Sequence, residues 1–279
     1  MPKCLVKWAG GKAQLSSHIL AAMPHGRLGT YYEPFVGGGA IFFRLAETKR
    51  FRKFVIGDAN EELIEFYRNV RDKRAEMEVA LLQFEEAYQN NPEEFYYELR
   101  GADPATLSRI DRSARFLFLN KTCFNGIYRV NKAGKFNVPW GKKATVKSFD
   151  PQNLIDCSAV LQDSSILCED FESVASSAEE DSVVYFDPPY LPKVATSFTA
   201  YTAAGFGLSD HERLAKLALM LHERGAFVMV SNSNMPEILA LYDEKRFVVE
   251  EIGERRGINC KSAGRGKIQE LFIRSRRGK

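Results

Sequence analysis

Residues Ser182–Tyr190 read SVVYFDPPY. Val183, Val184, Tyr185 and Phe186 are β-branched or aromatic with no helical period, which predicts a short strand buried within a parallel sheet. The run stops at Asp187-Pro188-Pro189-Tyr190, because two successive prolines donate no ladder hydrogen bonds and hold the chain extended. Open α/β sheets bind their ligands outside the carboxyl ends of the strands. An acid, a proline carbonyl and a phenol fixed at such an end form a polar notch with an aromatic wall, suited to a flat ring that carries an amine. The plainer alternative is an Asp that caps the next element beside a turn-forming proline pair.

Working outward, Tyr31–Gly39 (YYEPFVGGG) followed by AIFFRLAE predicts a strand, a glycine-rich turn and an amphipathic helix. Consecutive glycines let the backbone approach a ligand and present amides at a helix N-terminus, but Phe42 stands where GxGxxG needs its third glycine, so the dinucleotide fingerprint is not met. Phe54–Asp58 (FVIGD) predicts a second strand, whose Asp58 lies about twenty residues beyond the glycines, where a carboxylate can accept from ribose hydroxyls. Asp58 also suits capping of a helix that starts near Asn60. Lys7–Lys12 (KWAGGK) is not a P-loop, since Val6 replaces its first glycine and Ala13 its magnesium-binding Ser or Thr. That leaves Trp8 to stack on a heterocycle or to join the core, and Lys12 to meet a carboxylate or phosphate.

Ser165–Phe171 (SILCEDF) predicts a third strand ending in Asp170. Leu208–Arg224 predicts a helix capped by Ser209 and stopped by Gly225, with strands over Ala226–Ser231, Phe247–Ile252 and Ile268–Arg274. This alternation predicts an α/β fold with a mostly parallel sheet, interrupted by an insertion over 61–139. The insertion is charged and helical, with Leu63, Ile64, Phe66, Tyr67 and Val70 near one face, then Val79, Leu81, Leu82 and Phe84. Pro92 and Pro104 mark its joints, and Ile110–Asn120 predicts a further helix. Its last segment, NKTCFNGIYRVNKAGKFNVPWG, reads as a hairpin in which Ile127–Val130 and Phe136–Val138 flank an Asn131-Lys132-Ala133-Gly134 turn.

From Lys121 to Lys147 the chain carries Arg129, Lys132, Lys135, Lys142 and Lys143 and no acid, which suits a polyanion. Phe124 could act as a wedge and Arg129 could reach a guanine edge, although an inert surface hairpin would also be basic. The tail from Arg255 to Lys279 is basic too, with Glu270 its only acid. At 279 residues and 45% hydrophobic content the chain suits one large domain or one domain with an insertion. Five scattered cysteines without a CxxC pair argue against a zinc site or a disulfide framework and fit a reduced, cytoplasmic setting. No apolar run approaches the 18 or so residues of a membrane span.

Together, KWAGGK, EPFVGGG, FVIGD, the FNGIYRVNKAGKFNVPWG block and DPPY, in that order, resemble the alpha group of the Dam-like DNA adenine-N6 methyltransferases over nearly the whole chain. The resemblance implies a Rossmann-like S-adenosylmethionine-dependent methyltransferase sheet over 1–60 and 140–279. It also implies a mostly helical target-recognition domain over 61–139 that carries the hairpin. It implies S-adenosyl-L-methionine as methyl donor, with Trp8, Lys12, Glu33, Phe35, Gly37, Gly39, Asp58, Asp170, Phe171 and Asp187 shaping its pocket. Asp187, Pro188, Pro189 and Tyr190 would receive the adenine. Lys7, Phe124, Asn125, Arg129, Asn131 and Lys132 would face double-stranded DNA, Phe124 standing where a tyrosine is frequent in the family. Retention of Arg129 supports the GATC site. A monomer without metal is expected, in the cytoplasm and associated with DNA. Enzymes acting on glutamine amides typically carry NPPY, so Asp187 favours adenine as substrate. A methyltransferase paired with a restriction enzyme at another site, or a silent DNA-binding module, remain as alternatives.

Overall fold

The computed structural model describes residues 2–12, 14–191, 205–255 and 267–276. In chain order the elements are α1 (Ser16–Ala22), β1 (Leu28–Glu33), α2 (Ala40–Ala46), β2 (Phe51–Gly57), α3 (Glu61–Asp72), α4 (Arg74–Asn90), α5 (Pro92–Gly101), α6 (Arg109–Thr122), α7 (Pro151–Leu161), β3 (Ser164–Leu167), α8 (Phe171–Ala175), β4 (Val183–Phe186), α9 (Leu208–Glu223), β5 (Phe227–Ser233), α10 (Pro236–Leu239), β6 (Phe247–Arg255) and β7 (Lys267–Ser275). The seven strands form one sheet in the order β3-β2-β1-β4-β5-β7-β6. The first five in that order run parallel, while β7 is antiparallel to both β5 and β6. Strand order reverses between β1 and β4, which opens a crevice at their carboxyl ends.

Strand periodicity explains the two faces. Tyr31, Phe54, Val183, Tyr185 and Met229 point into a core shared with Phe42, Phe43 and the insertion, through Phe66 and Phe118. Their sequence neighbours Tyr32, Val55, Val184 and Val228 point the other way, onto Phe171, Val174, Leu214 and Leu221. All four residues of β4 are buried, as expected for the central strand of a sheet covered on both faces.

Proline and asparagine set the joints of the insertion. Asn60 caps α3, Asn91 caps α5 with Pro92 at its first turn, and Ser108 caps α6. α3 is also bonded to the sheet, since Arg68 donates twice to the Ile166 carbonyl and Arg71 to that of Ser164.

Four expectations are corrected. The third strand stops at Leu167, where β2 ends beside it, and Asp170 instead caps α8 by accepting from the Glu172 amide at 3.0 Å. Gly207, not Ser209, is the N-cap of α9: Ser209 lies inside the helix, and the Asp210 carboxylate accepts from the Gly207 amide at 2.9 Å. Val79 and Leu82 are 55% and 51% exposed, because α4 buries Met77, Ala80, Leu81 and Tyr88 instead. The hairpin closes only through isolated bridges, Val130 with Phe136 and Cys123 with Trp140. Side chains take the carbonyls a ladder would use: Val138 O accepts from Tyr96 and Arg100, and Asn137 O from Arg129. In the basic tail, residues 256–266 and 277–279, Cys260 among them, lie outside the described residues.

Candidate active site and nucleic-acid interface

Glu33 closes β1 and Asp187 directly follows β4, so the two strands that flank the order reversal bring carboxylates to one edge. Lys12 enters from the N-terminal segment and is 3% exposed. Its Nζ lies 3.0 Å from Asp187 Oδ1, 2.6 Å from the Gly10 carbonyl and 4.8 Å from the Tyr190 ring centroid. The Tyr190 hydroxyl donates to Glu270 Oε2 at 2.8 Å, and the Tyr31 hydroxyl to Glu33 Oε2 at 2.9 Å. Lys12 thus pairs with a carboxylate of the chain itself, Asp187.

Burial dominates the electrostatics of this group. It raises the Asp187 carboxyl to about 6, opposed by Lys12 and reinforced by Glu270. Burial likewise lifts Glu33 to about 8, with the Tyr31 hydrogen bond opposing and Asp187 adding to the rise. Asp58 rises to about 6, restrained by the amides of Asn60, Gly37 and Ala59. Near pH 7, Glu33 therefore holds its proton while Asp187 and Asp58 are mainly ionised. The Tyr190 phenol is pushed far above its ordinary value by burial and by Asp187 and Glu270, so it stays a hydrogen-bond donor.

The glycine turn is held from three sides. Gly37 has φ of 45°, its amide donates to Asp58 Oδ2 at 3.1 Å and its carbonyl accepts from the Tyr67 hydroxyl at 2.8 Å. A Cβ at Gly37 would lie 2.6 Å from Trp8 Cδ1, so the indole can lie against the turn only because no side chain intervenes. Gly39 precedes α2 and supplies its first carbonyl acceptor, to Phe43. The Trp8 ring stacks on Tyr128, with centroids 5.3 Å apart, and Tyr128 donates to Glu62 Oε2 at 2.8 Å. Across the sheet, Phe35 stacks on Phe171 at 5.5 Å, and the Arg213 guanidinium covers Phe171 while pairing with Asp170 at 3.0 Å.

The basic segment lies next to the N-terminal motif. Asn120 accepts from the Lys7 amide and donates to the carbonyls of Lys7 and Gly126, at 2.8, 2.8 and 3.3 Å. Phe124, 46% exposed, opens a 3-10 turn in which Asn125 takes φ of 56°. Arg129 donates through Nε to Asn137 Oδ1 at 2.7 Å and through Nη2 to the Asn137 carbonyl at 3.2 Å, which aims the guanidinium along the hairpin. Asn131 is committed to the turn, its side-chain oxygen accepting from Ala133 and Lys135 at 3.0 Å each, while Lys132 is exposed at the tip. Burial, and then the charge of Lys7, push the ammonium groups of Lys121 and Lys143 below the ordinary lysine range. Three like charges are crowded there, an arrangement that an anion would relieve.

Sequence reasoning missed Glu270, Tyr31, Tyr128, Asn120 and Asn137 as parts of the site. Only Glu270 left a signal, as the one acid of a basic tail at the head of the apolar run LFI. Among the described residues no cluster of His, Cys, Asp and Glu is placed to hold a metal ion, and no helix is long and apolar enough to cross a membrane.

A mixed seven-stranded sheet with a glycine turn after β1 and DPPY after β4 is the architecture of a Rossmann-like methyltransferase. A family model for D12 class N6 adenine-specific DNA methyltransferases matches residues 8–258, and the chain belongs to that family. It is 42% identical to the type II methyltransferase M.MjaIII of Methanocaldococcus jannaschii, covering 97% of this chain and 98% of that protein. Identity is 36% to the DNA N-6-adenine-methyltransferase of Escherichia phage P1, over 97% of this chain and 35% of that protein. The DNA adenine methylase of Escherichia coli K12 is 32% identical, with 97% and 94% covered. The protein is thus a DNA adenine-N6 methyltransferase, and its family membership implies a methyl donor and a DNA substrate.

Proposed function

We propose that the chain transfers a methyl group from S-adenosyl-L-methionine to the N6 amine of an adenine flipped out of double-stranded DNA, within GATC. One observation carries this reading: the Lys12–Asp187 pair, 3.0 Å apart, lies beside the Tyr190 ring at the reversal point of the sheet.

The residues present suit the donor. Glu33, Asp58 and Asp187 are all pushed upward by burial, so a positively charged ligand would be favoured among them. Asp58 would hold the ribose, Phe35 and Phe171 the adenosine ring and Asp170 its edge, with Gly37, Gly39, Trp8, Lys12 and Glu33 shaping the remainder. When bound, the donor supplies an electrophilic methyl group on a positively charged sulfur.

Chemistry on an adenine amine requires the base to leave the stack, at a cost of a few kcal/mol. Phe124, exposed at the turn, fills the vacated space, while Lys7, Asn125, Arg129 and Lys132 hold the duplex and Asn131 keeps the turn that presents Lys132. Tyr190 stacks on the extruded ring. Asp187 and the Pro188 carbonyl accept from the N6 amine, with Pro189 fixing the loop, and so turn the nitrogen lone pair out of conjugation. Orientation and electrostatics supply the rate. Asp187 or solvent then accepts the proton that the methylated amine releases.

We assign 1–60 and 140–279 to catalysis and 61–139 to target recognition, with α3 bonded to the sheet as the joint between them, and the working form is a cytoplasmic, DNA-associated monomer. Asp187→Ala tests the core of this reading. The variant should keep its fold and bind duplex DNA, yet transfer no methyl group; near-normal turnover would remove Asp187 from its role.

A further inference from the structure

β7 runs antiparallel to β5 and places Glu270 opposite Ser233, at the carboxyl end of β5 and therefore on the same sheet edge as Asp187. The next three residues, Leu271, Phe272 and Ile273, are fully buried. Glu270 itself is only 7% exposed. An ionisable side chain at the start of such a run costs free energy that an apolar residue would not, so packing alone gives no reason for it. Its Oε2 accepts the Tyr190 hydroxyl at 2.8 Å.

Tyr190 is consequently fixed at both ends. Pro188 and Pro189 restrict the backbone that leads to it, Lys12 Nζ sits 4.8 Å from its ring centroid, and Glu270 holds its tip. The hydroxyl oxygen lies on the axis about which the ring turns, so an anchor there fixes the tip of the ring and its first side-chain torsion, while Lys12 against the ring face bears on the second. We propose that Glu270 is a positioning residue for methyl transfer, holding the tip of the Tyr190 ring where the ring stacks on the incoming adenine. This inference rests on the reading of Tyr190 as the wall of the adenine site.

Glu270 has a second, separable effect. The groups that bear on Asp187 are Lys12 from the N-terminal segment and Glu270 from β7, with Glu33 on β1, Tyr185 on β4 and Tyr190 coupled to it in turn. Glu270 raises the Asp187 carboxyl, so neutralising Glu270 moves the acid limb of kcat/KM to lower pH while the loss of ring positioning lowers kcat. A residue that only stabilised the fold would produce neither shift.

The test uses the full chain, a duplex containing the target adenine and labelled S-adenosyl-L-methionine, with Glu270→Ala, Glu270→Gln, Tyr190→Phe, Tyr190→Ala and the Tyr190→Phe/Glu270→Ala double variant. Glu270→Ala is expected to lower kcat by about 10-fold or more, with KM for DNA changed by less than about 3-fold. Glu270→Gln keeps an acceptor and recovers most of that loss, with the acid limb displaced downward. In the Tyr190→Phe background, replacing Glu270 costs nothing further, since the bond it supplies is already gone. Equal losses of kcat from Glu270→Ala in the two backgrounds, or wild-type kcat in Glu270→Ala, would overturn the inference. If Glu270→Ala fails to fold, judged by its thermal midpoint, Glu270→Gln and Tyr190→Phe decide: wild-type kcat in Tyr190→Phe, or an unmoved acid limb in Glu270→Gln, would overturn the inference. Wild-type kcat in Tyr190→Ala would instead refute the parent reading of Tyr190, whatever Glu270 does.

Discussion

Among the described residues Lys12 is the cation paired with Asp187, and Lys12→Met removes it while preserving the volume of a side chain that is 3% exposed. An opposite charge within about 4–6 Å lowers a carboxyl pKa by roughly 1–3 units, and here the separation is 3.0 Å. With Lys12 present, the Asp187 carboxyl sits at about 6 and is therefore about nine-tenths ionised at pH 7. A rise of about two units without Lys12 leaves roughly one-tenth ionised at pH 7, and restores about nine-tenths at pH 9. Asp187 must be ionised to accept from the amine, so activity increases as pH rises through its pKa. In the free enzyme, kcat/KM for DNA reports that titration. Wild type is expected to show an acid limb near pH 6, and Lys12→Met one displaced alkaline by roughly one to three pH units, with about tenfold lower activity at pH 7 recovered near pH 9. An acid limb still near pH 6 in the variant, or the same loss at every pH, would refute the idea that Lys12 acts by holding Asp187 ionised.

Arg129→Ala should cost roughly 1–3 kcal/mol of discrimination at one guanine, as expected for a bidentate base contact. Because Asn137 accepts from Arg129 at two atoms, Asn137→Ala should lose part of the same discrimination; equal loss of binding on all DNA sequences would mark Arg129 as a phosphate contact. Glu33→Gln tests the buried acid of β1. Between about pH 4.5 and 8 folded Glu33 keeps a proton that the unfolded chain has lost, so its ionisation lowers stability as pH rises, by up to about 1.4 kcal/mol per pH unit inside that window. Thermal midpoints should therefore fall more steeply from pH 5 to pH 8 in wild type than in Glu33→Gln, and parallel curves would contradict the burial of an ionisable Glu33.

The elements that carry the sheet were readable because fully buried parallel strands are continuous apolar runs ended by glycine, proline or an acid, as in VVYFDPP and FVIGD. What escaped were pairings set by tertiary packing. Trp8 stacks on Tyr128 across 120 positions of sequence, and Glu270 meets Tyr190 across 80, and no local pattern encodes either contact. Asn120 and Asn137 likewise work by closing distant carbonyls and a guanidinium, which composition cannot show. The α9 cap lies at Gly207 and not at Ser209 because an acid at the third helical position serves the capping amide from inside the helix. The hairpin is legible as a unit, but it forms isolated bridges and not strands, since Tyr96 and Arg100 of α5 occupy a carbonyl that a regular ladder would need.

The most direct test of the account is to incubate the full chain with labelled S-adenosyl-L-methionine and DNA that lacks adenine methylation, then map N6-methyladenine at base resolution. Label confined to the adenine of GATC is the predicted result. Label at a different adenine motif would overturn the use of Arg129 and its hairpin as a GATC reader, and no label on any duplex would contradict the assignment of Asp187 and Tyr190 to adenine methylation.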